Sequence, residues 1–223
     1  MKTDDLELDP LNRLILAYAR HAERERYALL FALDLRLADI IRSTSEQLIG
    51  QMRLTWWRDI LTKTPDERPA GEPLVSLINR VEGQGADMRY LESLIDGWEL
   101  LLDDFPWDDR QFENYAKCRG ESYFNFVIEA DDALNLEQKN AARSWALWDF
   151  ARHCSDLEMR ISSFSRSQKA REVSNRPVFD RSGRPLSILC ELVAKDVKKG
   201  KLTADLLQPS VAIKIFWHGL TGF

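Results

Sequence analysis

Apolar residues recur along this chain every three or four positions. Leu30, Leu33, Leu37 and Ile41 share one stripe, the spacing of a helix with a single buried face. The same period returns in Leu91, Leu94, Ile95, Trp98, Leu101 and Leu102. Cap and breaker residues then mark the ends. Asp9-Pro10 sets a cap residue before a proline suited to a first helical turn, and predicts a helix to about His21. A second helix is expected from about Glu23 to Arg42. Ser43-Thr44-Ser45-Glu46 offers caps for a third, through Trp56 to about Lys63. Three prolines and a glycine between Thr64 and Pro73 predict a loop. Further helices are expected from Leu74 to Glu82, from Asp87 to Leu102 and from Asp108-Asp109 toward Ala130. Others should run from Asn135 to about Ser163, from Leu186 to Lys199 before Gly200, and from Pro209-Ser210 to Gly219. Residues 165–184 are polar and basic, with Arg166, Lys169, Arg171, Arg176, Arg181 and Arg184, and predict a solvated loop or a docking patch. Within it, 176–184 leaves room for a small β element.

Strand-like alternation of useful length is missing, and no fixed-period repeat is visible. Amphipathic helices joined by short loops predict an all-α bundle, a single domain over residues 1–223. That length supports a sizeable core. Seven tryptophans need much interior or an apolar cavity to bury them. A net charge of −5 provides no general attraction to nucleic acid or to anionic membranes. No apolar run reaches the roughly 20 residues of a membrane-spanning helix, so any membrane contact is expected to be peripheral. Cys118, Cys154 and Cys190 lie far apart and form neither a metal spacing nor an even disulfide set. With an acidic start that lacks the signal-peptide pattern, they point to a reducing, cytoplasmic setting.

Several blocks carry a family resemblance. Residues Tyr27 to Arg42 resemble the first signature helix of squalene and phytoene synthases. Ser45 to Asp59, with Arg53-Leu54-Thr55-Trp56-Trp57-Arg58, is similar to that family's Arg-Leu-x-x-Trp-Arg element. Leu94-Ile95-Asp96-Gly97 and Phe112-Glu113-Asn114-Tyr115 resemble its next two blocks in the same order. The resemblance covers roughly Asp9 to Asp156. It implies an isoprenoid-synthase-like helical bundle with a central cavity. It also implies prenyl transfer between two prenyl diphosphates, helped by Mg²⁺ held on two Asp-rich helix faces.

The acids such chemistry needs are depleted here. Diphosphate leaving groups need Mg²⁺ to neutralise them, and Mg²⁺ needs carboxylates. The family's Arg-x-x-Asp-Asp-x-x-Asp falls on Leu35-Arg36-Leu37-Ala38-Asp39-Ile40-Ile41-Arg42, which keeps only Asp39. Arg42 would set a fixed positive charge at a metal position, and like unit charges about 4 Å apart cost about 4 kcal/mol at an effective dielectric near 20. An arginine there can still contact a phosphate. The second motif falls on Asp149 to Asp156, with Arg152 at an acidic or amide position. Asp149, His153 and Asp156 are spaced to share one helix face, for one metal or for acid–base work.

Each of these residues also has a structural reading. Asp39 with Arg42 reads first as an ion pair, and Asp149, His153 and Asp156 as surface polar groups. Arg53 or Arg58 could pair with Asp39 or Asp59, while Trp56 and Trp57 line core or cavity. Tyr115 and Ser122 divide evenly between packing and ligand contact. The candidate anion-binding or pocket set is therefore Arg36, Asp39, Arg42, Arg53, Tyr115, Ser122, Asp149, Arg152, His153 and Asp156. No metal or cofactor is expected unless the chain is an active prenyltransferase, which would need Mg²⁺. The expected function is a non-catalytic isoprenoid- or lipid-binding or assembly role. A branch of the family, the complex I assembly factors, is similar in Ser45-Glu46, Ile49-Gly50 and Met52-Arg53 and also lacks the paired aspartates. A protein partner is accordingly expected.

Overall fold

Asp9 opens the first helix as its place before Pro10 predicts. Its carboxylate accepts the backbone N–H groups of Leu11 and Asn12, both at 3.0 Å, and the helix runs over Pro10–Leu16 (α1). This computed structural model describes residues 6–128, 134–173 and 177–206. After Leu16 the N–H groups of Tyr18 and Ala19 bond three residues back, and these tight turns end α1 before the expected His21. The next helices are Arg24–Ser43 (α2) and Gln47–Thr62 (α3). They are followed by Pro73–Gly83 (α4), Arg89–Glu99 (α5) and Asp109–Tyr115 (α6). A π-helical turn, Ala116–Glu121, joins α6 directly to Ser122–Val127 (α7). The chain then forms Leu136–His153 (α8), Leu157–Glu172 (α9) and Arg184–Lys199 (α10). The described residues are all helix, turn and loop, an all-α, isoprenoid-synthase-like bundle.

Two expectations need correction. The helix drawn from Asn135 to Ser163 is two helices. Cys154 is extended, and Asp156 caps α9 by accepting the N–H of Met159 at 2.8 Å. The basic segment is not a loop throughout, since residues 165–172 continue α9 and Arg184 opens α10. Arg166 there reaches Asp109 at 2.5 Å and lies 4.5 Å from the Phe112 ring, so it docks α9 on α6. The helix expected after Pro209 lies outside the described residues.

Packing follows the apolar stripes. α8 is central and lies against α9, α10 and the π turn, while α2 packs on α3, α4, α5 and α7. Two glycines permit close approach. A Cβ on Gly97 of α5 would lie 2.9 Å from the backbone nitrogen of Arg119, and one on Gly120 would lie 2.4 Å from the Ala142 carbonyl oxygen of α8. Buried polar groups tie the periphery. Arg68 donates to the Ile60 and Leu61 carbonyls at 2.7 and 3.2 Å, closing the end of α3. Asp196 accepts Trp148 Nε1–H at 3.0 Å and the Thr203 N–H at 2.8 Å.

Candidate functional site at the bundle centre

α2 runs as one helix past both Asp34 and Asp39, but the two acids face opposite ways. Asp34 continues the apolar stripe of Leu30, Leu37 and Ile41 and points inward. Asp39 is exposed and pairs with Arg42, also exposed. The positive charge expected from Arg42 at the inner site is therefore on the outside.

A different arginine supplies it. Arg119 lies in the π turn with its side chain 1% exposed. Its Nη2 donates to Asp34 Oδ2 at 2.8 Å and to Asp149 Oδ2 at 3.3 Å. One guanidinium thus bridges a carboxylate from α2 and one from α8. Trp98 Nε1–H donates to the other oxygen of Asp34 at 2.8 Å. Three rings enclose the guanidinium, with its central carbon 4.9, 5.1 and 4.7 Å from the centroids of Trp98, Tyr123 and Trp145. Nε and Nη1 are buried without an acceptor.

The π turn explains how an arginine comes to lie here. A π turn adds a residue to a helical turn and re-aims the side chains that follow; such turns are frequent at functional sites. Gly97 and Gly120 let α5 and α8 close on this turn from two sides, so the Arg119 backbone cannot retreat.

Electrostatics follow the geometry. Burial pushes the Asp34 carboxyl up to about 6, against the pull of Arg119 and the Trp98 hydrogen bond. Burial alone would lower the pKa of Arg119, but Asp34, Tyr115 and Asp149 outweigh it and hold it above its ordinary value, so the group is a permanent cation. Burial likewise raises the Tyr115 and Tyr123 phenols, which stay protonated.

Of the residues expected at a site, the structure gathers Tyr115, Asp149 and, at the rim, His153. Tyr115 is buried against Trp107 and Phe150. His153 is exposed, with Nδ1 3.5 Å from Asp149 Oδ1. Ser122 is buried at the start of α7. The others are dispersed. Arg36 is exposed and 3.8 Å from Glu72. Arg53 donates to the Ser43 and Thr44 hydroxyls at 3.0 Å. Arg58 pairs with Asp96 and Glu99 at 2.6 and 2.8 Å, not with Asp39 or Asp59. Arg152 stacks 5.0 Å over Trp148 and donates to the Thr203 carbonyl, and burial lowers its pKa. Asp156 is spent as a cap on α9, so the expected face of Asp149, His153 and Asp156 does not form. Sequence reasoning passes over Asp34 and Arg119. Their signal is a charged residue at a core position of an apolar stripe: Asp34 between Leu30 and Leu37, and Arg119 four residues from both Tyr115 and Tyr123.

These residues do not fit a magnesium cluster. Both inward carboxylates already accept from the same guanidinium, and a divalent ion between them would meet that charge. Among the described residues no group of three or more His, Cys, Asp or Glu side chains could hold a metal ion.

Comparison with known proteins agrees with the fold. Residues 9–130 match the model of the family described as squalene/phytoene synthase, more than half of the chain. The chain is similar to proteins named NADH dehydrogenase (ubiquinone) complex I, assembly factor 6. The mouse protein is 31% identical over 124 residues, covering 54% of this chain and 37% of the relative. The bovine protein is 30% identical over 113 residues, 50% of this chain and 34% of the relative. The human one is 28% identical over 113 residues, with the same coverage. The chain thus spans little more than a third of the length of these relatives.

Proposed function

The chain belongs to the squalene/phytoene synthase family, and we propose that it serves that family's fold without its chemistry, as a protein-binding assembly factor. The observation that carries this reading is the Arg119 bridge between Asp34 and Asp149. In the resemblance, acids on two facing helices hold Mg²⁺ for a departing diphosphate. Here the two inward acids are on α2 and α8, and one guanidinium bridges them, offsetting one of their two charges. The bundle centre is filled by Arg119, Trp98, Tyr123 and Trp145, each at most 8% exposed. No Mg²⁺ is required on this reading. The assembly role is supported by the chain's likeness to the mouse, bovine and human complex I assembly factor 6 proteins. No described helix is long and apolar enough to cross a membrane.

The opposing reading, a divergent prenyltransferase, draws on the same pair of facing acids. Incubation with farnesyl or geranylgeranyl diphosphate and Mg²⁺ separates the two. The assembly reading predicts no diphosphate release above the rate without protein. Mg²⁺-dependent release that is lost in Asp34→Asn and Asp149→Asn would overturn it.

A further inference from the structure

α3 leaves an apolar row in solvent. Leu48, Met52 and Trp56, at successive i+4 steps, are 68%, 65% and 43% exposed, and Ile49 beside them is 45% exposed. Four large apolar side chains on one helix face go beyond the scattered exposure of a normal surface. α3 is anchored to the bundle by other side chains, Leu54, Trp57, Ile60 and Leu61, with Trp56 packed edge-on against Trp57. An i+4 row is also the ridge by which helices pack into one another's grooves.

The charges around the row narrow its occupant. Arg42 is matched by Asp39, and Arg58 by Asp96 and Glu99. Arg53, exposed at the edge of the row, is held by two neutral hydroxyls, and among the described residues it has no carboxylate partner. Asp59, seven residues past Met52, lies in line with the row and is exposed. An acid at the C-terminal end of the apolar row opposes insertion of that end into a lipid surface. A second copy is opposed as well. A two-fold axis at Met52 would set Arg53 near its own symmetry mate, and like charges across an interface are repulsive.

We propose that this face of α3 docks an amphipathic helix of a different protein, with an acidic residue facing Arg53. The proposal rests on the assembly reading and names its contact surface. The side chains it uses are the least exacting part of the fold, so they are free to be replaced in a test.

A benzophenone side chain replacing Met52, and in a control Ile161 of α9, is installed in the full chain in its native cells. The photo-crosslinked peptide is mapped by mass spectrometry. The expected adduct at 52 is a segment of another protein with apolar residues at helical spacing and an acid at its edge. A synthetic peptide of that segment should bind the purified chain about tenfold more weakly after Arg53→Glu, and changing its acid to lysine should restore binding. Adducts at 52 to lipid, to a second copy or to residues 207–223 of the same chain would overturn the proposal. So would a mapped segment whose binding ignores Arg53→Glu. A partner captured only at 161 would move the surface and leave the assembly reading standing. Mg²⁺-dependent diphosphate release would remove the assembly reading itself.

Discussion

Two aspartates of α2, each paired with an arginine, show how position decides what a charge does. Asp39 and Arg42 meet on the outside, with side chains 56% and 59% exposed. Asp34 and Arg119 meet inside, 13% and 1% exposed. The outer pair is solvated whether or not it forms, so its contribution is about 0–1 kcal/mol. The inner pair cannot separate without leaving a charge stranded among aromatic rings. Its cost was met when the bundle closed, and what it confers is a fixed charge pattern at the centre.

The sharpest way to break this contrast is to remove the inner cation. Arg119→Met should destabilise the fold by about 3–5 kcal/mol, because Asp34 and Asp149 then face each other unpaired. Urea unfolding at neutral pH checks this. A loss below about 1 kcal/mol would put the two pairs in one class. Gly97→Ala tests the backbone that holds Arg119. With a Cβ placed 2.9 Å from the Arg119 nitrogen, a loss of about 1–3 kcal/mol is expected from overpacking, read from the same midpoint shift.

The inner pair should also give stability a pH dependence. Asp34 titrates near 6 in the folded chain, above its ordinary value of 3.8. The folded state therefore binds this proton more readily than the unfolded chain does. Below pH 6 the Asp34 contribution must raise stability as pH falls, levelling off near 4. Comparing unfolding at pH 7 and pH 5 for the native chain and for Asp34→Asn isolates it. The variant should lose that part of the gain, and identical slopes would refute the buried-carboxylate picture. The smallest effect belongs to the outer pair. Arg42→Gln should change stability by less than about 1 kcal/mol in the same urea unfolding.

Much of the fold is written in local signals. Asp9, Asp108, Asn135 and Asp156 each cap a helix through a side-chain oxygen. Three of them stand where the caps were expected. Asp156 was legible as a cap too, but the residues around it have good helical spacing, and that spacing joins α8 to α9 on paper. The site is harder to read. Spacing within the resembling motif leads to Asp39, whereas the inward acid is Asp34, one turn before Ala38 on the same face. Arg119 lies within a π turn, whose wider winding shifts the phase of the helix, so a strict 3.6-residue period misplaces its direction. The mutual approach of α5, α8 and the π turn depends on Gly97 and Gly120, whose role is visible only in three dimensions.

On the proposed function, Arg119 stands where the family's metal chemistry would need a divalent cation. Nuclear magnetic resonance of the Asp34 and Asp149 carboxylates during a Mn²⁺ titration tests it most directly. A paramagnetic ion broadens the signals of groups close to it. The account predicts that both carboxylate signals keep their widths while exposed acids such as Asp39 broaden weakly and without saturation. Saturable broadening of Asp34 and Asp149 together would contradict it, because a metal would then occupy the place assigned to the guanidinium.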